Sequence, residues 1–165
     1  MRIYLIGFMG SGKSALGKQL AQLMGSAFID IDEMFEERYH ISIYDFFIKY
    51  GEDNFRKAER ELLLETIDLD NTVISTGGGT PCFYDNMNVI NTNGTSVYLR
   101  MTSAELASRL KNLRKKRPLL ENVEANNLEQ WISEKMLQRE SFYLQAAQVF
   151  YPLTESLEDL ASKLT

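Results

Sequence analysis

Apolar residues follow two rhythms along this chain. Ile3-Tyr4-Leu5-Ile6 is a short continuous apolar run stopping at Gly7, the pattern of a strand buried on both faces. Leu16, Leu20 and Leu23 then recur at helical spacing, which predicts a helix from Lys13 to Met24. Ala27-Phe28-Ile29 reads as a second strand ending in an acidic pair. A long helical stretch follows, broken near Gly51, whose second half places Phe55, Ala58, Leu62 and Leu63 on one face. Val73-Ile74 is a third strand running into three glycines, and Ser96-Val97-Tyr98-Leu99 a fourth, with Ser103 as N-cap of the next helix. A basic segment from Lys111 to Arg117 ends in Pro118-Leu119-Leu120. A long helix from about Leu128 to Ala147 then leads to a fifth strand, Val149-Phe150-Tyr151, and a short amphipathic C-terminal helix.

Strands alternating with helices imply an α/β fold: five parallel strands covered by helices on both faces, three layers in a single domain spanning 1–165. In such a sheet ligands sit outside the carboxyl ends of the strands. Composition changes this picture little. An apolar fraction of 44% and a charged fraction of 25% are ordinary for a globular domain. A formal net charge of -5 argues mildly against a nucleic-acid partner, although one local basic cluster is present. Cys82, the single cysteine, cannot form an internal disulfide, so a reducing compartment is expected. No apolar run approaches the roughly 20 residues that span a bilayer, and the first strand begins too early for a signal peptide. A soluble, cytoplasmic protein with no membrane or nucleic-acid partner is the expectation, with a monomer as the default.

Chemistry concentrates at the predicted strand ends. Gly7-Phe8-Met9-Gly10-Ser11-Gly12-Lys13-Ser14 fits the G-x₄-G-K-[ST] phosphate-loop pattern, with strand before and helix after. Phosphates need close backbone N–H groups, which a Cβ would obstruct, and the helix N-terminus adds a favourable dipole. Lys13 is placed to reach the β- and γ-phosphates of ATP, and the Ser14 hydroxyl to ligate Mg²⁺. Gly10, Ser11, Gly12, Lys13, Ser14 and Ala15 form the expected nucleotide-binding set. Asp30 and Asp32 sit two residues apart, so both carboxylates would point the same way from a strand end. One natural division assigns Asp30 to Mg²⁺ and Asp32 to a substrate hydroxyl, as orienting group or base; the blander alternative is that one of the two merely caps the following helix.

Other elements are more open. Thr76-Gly77-Gly78-Gly79-Thr80 either presents N–H groups to a ligand or is a flexible turn. Arg56 and Glu59, at i and i+3 on one helix, suit a surface ion pair as well as a site. The basic run ending at Arg117 is either a lid that brings an arginine to the γ-phosphate or a solvated loop. Arg139, with Tyr143 at i+4, would by itself pass for a surface arginine, and His40, Trp131 and Cys82 offer no constellation.

Taken together, these elements resemble the shikimate kinases over nearly the whole chain. The residues that carry the resemblance are the Gly7–Ser14 loop, Asp30-Ile31-Asp32, Gly51-Glu52-x-x-Phe55-Arg56-x-x-Glu59, Gly77-Gly78-Gly79, Arg117-Pro118-Leu119-Leu120 and Arg139-x-x-x-Tyr143. The resemblance implies a nucleoside monophosphate kinase-like fold with a mobile lid near 111–124 and a substrate-binding helical region near 32–60. It implies transfer of the ATP γ-phosphoryl group to the 3-hydroxyl of shikimate. Asp32 would bind the hydroxyls and act as base, Arg56 and Arg139 would clamp the carboxylate, and Gly78 would add backbone contact. Asp30 and Ser14 would hold Mg²⁺, Arg117 would be the lid arginine, Glu59 would support the clamp, and Phe47 and Phe55 would lie near the substrate ring. The family often stacks a further arginine on adenine; Arg109 and Arg114 align with that position poorly. The rival readings are another small-metabolite kinase, for gluconate or a nucleoside monophosphate, and a binding domain of this fold that has lost catalysis.

Overall fold

The computed structural model describes residues 1–112 and 118–165. Five strands form one parallel sheet: β1 (Arg2–Ile6), β2 (Ala27–Asp30), β3 (Thr72–Ser75), β4 (Thr95–Leu99) and β5 (Gln148–Phe150), in the order β2-β3-β1-β4-β5. Ile3 pairs with Val73 on one side and Thr95 on the other, so β1 is central. Its residues alternate between two apolar layers. Tyr4 and Ile6 join Ile74 and Tyr98 under one set of helices, while Ile3 and Leu5 join Val73 and Val97 under another.

The second layer is roofed by α1 (Lys13–Met24) and α8 (Leu157–Leu164), which contribute Leu20, Ala21 and Leu160. The first is covered by α2 (Ile31–Tyr39), α4 (Glu52–Glu65), α5 (Asn86–Asn93), α6 (Ser103–Lys111) and α7 (Leu128–Tyr143). A further short helix, α3 (Ile43–Tyr50), packs Phe46 and Phe47 around Phe35 and Phe55. Among the described residues no helix is long and apolar enough to cross a membrane.

Several boundaries differ from those expected, each for a local reason. The helical stretch after β2 breaks at His40 as well as at Gly51; His40 adopts φ 52° and Ser42 caps the helix that restarts. Thr102, not Ser103, caps α6, in a reciprocal arrangement with Glu105 that satisfies two helix-opening N–H groups. The long helix ends at Tyr143 and β5 at Phe150. Helix α5 carries no clear apolar rhythm, since only Met87 and Ile90 among its apolar residues are buried, and periodicity gives no sign of it.

The expectation that Asp30 and Asp32 share a strand face is not met. Asp30 ends β2, and Asp32 already lies in the first turn of α2. The Asp30 carboxylate causes the change: its Oδ1 accepts from the N–H groups of Asp32, at 2.9 Å, and Glu33, at 3.4 Å, and so opens the helix. Arg117 and most of the basic run fall outside the described residues.

Candidate active site

Two adjoining pockets open at the carboxyl ends of β1, β2 and β3. Gly10, Gly12, Lys13, Ser14 and Ala15 line the first, with Asp30, Asp32, Ser75, Thr76 and Arg109. Gly12 holds φ 90°, a left-handed geometry open to glycine at little cost, and its carbonyl accepts the first α1 bond from Leu16. The turn leaves the Lys13 ammonium beneath the loop, where Nζ donates to the carbonyls of Gly7 at 2.9 Å and Phe8 at 3.0 Å. Ser11 does not line this pocket; its Oγ is buried under the loop and has no hydrogen-bond partner among the described residues.

The Ser14 hydroxyl donates to Asp30 Oδ2. One carboxylate oxygen of Asp30 therefore caps α2, one of the two functions weighed for it, and the other meets Ser14. A hydroxyl beside a carboxylate at the floor of a phosphate cradle is an oxygen donor set suited to a hard cation such as Mg²⁺, which keeps several waters and takes its remaining ligands from phosphates. Among the described residues no group of three or more His, Cys, Asp or Glu could hold a metal by protein ligands alone.

Of the two adenine candidates that align poorly, Arg114 lies outside the described residues, and Arg109 is described. It lies on this pocket, its Nε donating to Gly10 O at 2.7 Å. Helix α6 delivers it there, because Leu110 packs against Gly10 and fixes the end of that helix on the loop.

The second pocket is lined by Asp32, Ile43, Phe47, Phe55, Arg56, Glu59, the three glycines, Pro118, Leu119 and Arg139. Its two arginines are buried, at 5% and 6% exposure, so neither is the surface residue its helix position allows. Burying a guanidinium is costly unless it is paired. Arg56 Nη1 donates to Glu59 at 2.9 Å, its Nε and Nη2 reach Glu52 at 3.3 Å, and its Cζ lies 4.2 Å from the Phe83 ring centre. Glu59, itself 1% exposed, also accepts from Thr80 Oγ at 2.8 Å. The glycine turn wraps this cluster closely: a Cβ on Gly79 would fall 2.5 Å from Arg56 Nη2. Arg139 differs in that its Nη1 is buried with no hydrogen-bond partner among the described residues. A buried guanidinium nitrogen beside a pocket has the chemistry to accept an anionic ligand.

Met9, Asp32 and Gly78 line both pockets, so whatever fills one is separated from the other by a single layer of residues. Every candidate among the described residues lies at one pocket or the other, apart from Ser11. Phe83 and Ile43 carry no sequence pattern that marks them, whereas Thr80 closes the glycine element already noted in the sequence.

The family model of shikimate kinase matches residues 9–165. A shikimate kinase from Parabacteroides distasonis is 42% identical over 99% of this chain and 96% of its own. The crystal structure of shikimate kinase from Bacteroides thetaiotaomicron superposes with a TM-score of 0.90 at 39% identity, covering 99% of this chain and 96% of that one. That of shikimate kinase from Acinetobacter baumannii in complex with shikimate gives 0.87 at 32% identity, over 98% and 89% of the two chains. A phosphate loop, a buried pair of arginines and near full-length similarity therefore agree, and this chain belongs to the shikimate kinase family.

Proposed function

We propose that this protein transfers the γ-phosphoryl group of ATP to the 3-hydroxyl of shikimate, with ATP in the phosphate-loop pocket and shikimate in the pocket of Arg56 and Arg139. The observation that carries the reading is the shared wall. Met9, Asp32 and Gly78 bound both pockets, so a hydroxyl held in one faces a phosphate held in the other. Positioning of this kind, with charge stabilisation, supplies most of the catalysis in phosphoryl transfer.

Each residue then has a role set by its place. The loop N–H groups and Lys13 hold the phosphates, and Lys13 balances charge spreading over the γ-oxygens. Ser14 and Asp30 would hold Mg²⁺, which would supply charge neutralisation for the transferring phosphoryl group. The Asp32 carboxylate lies beside Gly77, on the wall between the pockets, where it can orient the attacking hydroxyl and accept its proton. Arg56 and Arg139 hold the shikimate carboxylate, Gly78 offers backbone contact, and Phe47 and Phe55 pack on the ring. Arg117 precedes Pro118, which lines the shikimate pocket, and is the lid arginine in this reading. The acidic net charge and the absence of a membrane-spanning helix among the described residues favour a cytoplasmic enzyme free of nucleic acid.

The test is ADP release with Mg-ATP, comparing shikimate with gluconate and nucleoside monophosphates. Turnover on shikimate alone is expected. Turnover on another acceptor would keep the phosphate-loop roles and overturn those of Arg56 and Arg139. Silence from folded protein on every acceptor would favour a binding domain. Lys13→Ala is expected to lower kcat by about 10² to 10⁴ while leaving the thermal midpoint nearly unchanged. An intact rate in that variant would refute the loop assignment.

A further inference from the structure

Thr80 follows the three glycines and opens the short 3₁₀ segment Thr80–Cys82; it is wholly buried and lines neither pocket. Its side chain and backbone sit in one unbroken series of hydrogen bonds. The Thr80 N–H donates to Gly77 O at 3.2 Å, which closes the glycine turn. The hydroxyl donates to Glu59 Oε2 at 2.8 Å, while Glu59 Oε1 accepts from Arg56 Nη1 at 2.9 Å. On the far side, the Thr80 carbonyl accepts from Asn86 Nδ2 at 2.8 Å, and Asn86 Oδ1 accepts from Arg60 Nη1 at 2.5 Å. A guanidinium can only donate, so Arg60 fixes which end of the buried Asn86 amide faces Thr80. Phe83, the residue after the 3₁₀ segment, lies against the Arg56 guanidinium as well.

We propose that Thr80 is a positioning residue for the phosphoryl acceptor: its hydroxyl locks the Glu59 carboxylate and, through it, aims Arg56 at the carboxylate of the acceptor. The inference rests on the reading of Arg56 as carboxylate ligand. The physical reason is rotational. A glutamate carboxylate turns about its last bond with a broad, roughly two-fold preference, so one contact from Arg56 would leave its plane unset. A second donor on the other oxygen, from a β-branched side chain whose own rotamer is stiff, removes that freedom. Glu59 is 1% exposed, so solvent does not supply the second donor in place of Thr80. The contact is also seated against the glycine turn: a Cβ on Gly77 would lie 2.6 Å from Glu59 Oε2, 2.9 Å from Thr80 Oγ and 3.2 Å from Asp32 Oδ1. The support of Arg56 and the proposed base therefore meet at one residue of the wall between the pockets, and the aim of the clamp is set relative to the point of phosphoryl transfer.

The experiment is Thr80→Val, which keeps the branched shape and removes the hydroxyl, beside Thr80→Ser, which keeps the hydroxyl, and Arg56→Ala. Binding of shikimate and of its uncharged carboxamide is measured for each protein, with steady-state KM values for shikimate and ATP. Thr80→Val is expected to weaken shikimate binding about tenfold and carboxamide binding by less than about twofold, and to leave the ATP KM within about twofold. Thr80→Ser is expected to stay within about threefold of the parent for both acceptors. Equal losses for the acid and the amide, unchanged shikimate binding in Thr80→Val, or a serine variant no better than the valine one would overturn the proposal. If Arg56→Ala itself leaves shikimate binding intact, the carboxylate reading fails and this proposal with it. If Arg56→Ala weakens binding and Thr80→Val does not, the clamp stands and the role of Thr80 alone fails. Should the valine variant not fold, Thr80→Ala against Thr80→Ser makes the same comparison without added bulk. The alanine variant is then expected to bind shikimate about tenfold more weakly than the serine one, and equal affinities would overturn the proposal.

Discussion

Two arginines in one pocket are made different by their neighbours. Arg56 is neutralised by buried Glu59 and half-exposed Glu52, and pressed onto Phe83, so its orientation is set before any ligand arrives. Arg139 keeps a buried guanidinium nitrogen without a hydrogen-bond partner among the described residues. Preorganisation of the first leaves little room for error in the backbone beside it. Gly79→Ala would place a methyl group 2.5 Å from Arg56 Nη2 and 2.7 Å from Nη1, and the guanidinium would have to leave Glu59 to escape it. The backbone at Gly79 has φ -91°, which alanine tolerates, so the effect is one of contact and not of torsion. The shikimate KM is expected to rise at least about tenfold, with the ATP KM nearly unchanged. Steady-state kinetics check this, and an unaltered shikimate KM would show that Arg56 has slack.

At the scale of elements, the junction between β2 and α2 joins folding to chemistry through Asp30. One carboxylate oxygen ends the strand by capping the helix, and the other meets the Ser14 hydroxyl at the phosphate loop. The two functions separate by substitution. Asparagine caps as well as aspartate but carries no charge, so Asp30→Asn is expected to hold stability within about 0.5 kcal/mol. It should nevertheless lower kcat and raise the Mg²⁺ concentration needed for half-maximal rate. Asp30→Ala should add a loss of about 1 kcal/mol. Urea midpoints and Mg²⁺ titrations of both variants test the assignment; equal stability loss in the two would remove the capping role. Helix α6 shows the same economy, its Thr102–Glu105 cap fixing one end and Leu110 against Gly10 seating Arg109 at the other.

For the whole molecule, the first apolar layer reaches the site itself, where Cys82 packs at the edge of the core near both arginines. Burial pushes its thiol up from 9.0 to about 11, outweighing the pull of Arg139 and Arg56 toward thiolate. The folded state therefore binds this proton more tightly than the unfolded chain. The stabilisation is full below pH 9.0 and is lost as pH rises toward about 11. Its size is on the order of 3 kcal/mol, one pKa unit being worth about 1.4. Tyrosines of the unfolded chain ionise near 10, so the window from about 9 to 10 belongs chiefly to the thiol. Urea unfolding across that window is expected to show a fall in stability that Cys82→Ser flattens; an unchanged slope would place the pH dependence elsewhere. The same shift makes the thiol slow toward alkylating reagents at neutral pH, since the thiolate is the reactive form.

Much was already legible in the linear chain. The alternation of strand and helix, the phosphate loop and the order of the acidic, glycine and arginine motifs are local patterns, because backbone geometry and phosphate recognition act over a few neighbouring residues. Asp30, Asp32, Lys13 and Ser14 could be named from spacing for that reason. What they could not reveal was pairing across the fold. That Arg56 and Arg139 are buried, that Phe83 and Thr80 join the first, that Arg109 returns to the phosphate loop, and that Tyr143 reaches Gly78 are all contacts between residues distant in sequence. The helix position of each arginine is equally good for solvent. Only packing the helices on the sheet removes the water, and once it is gone every guanidinium nitrogen needs a partner, in the protein or in the ligand.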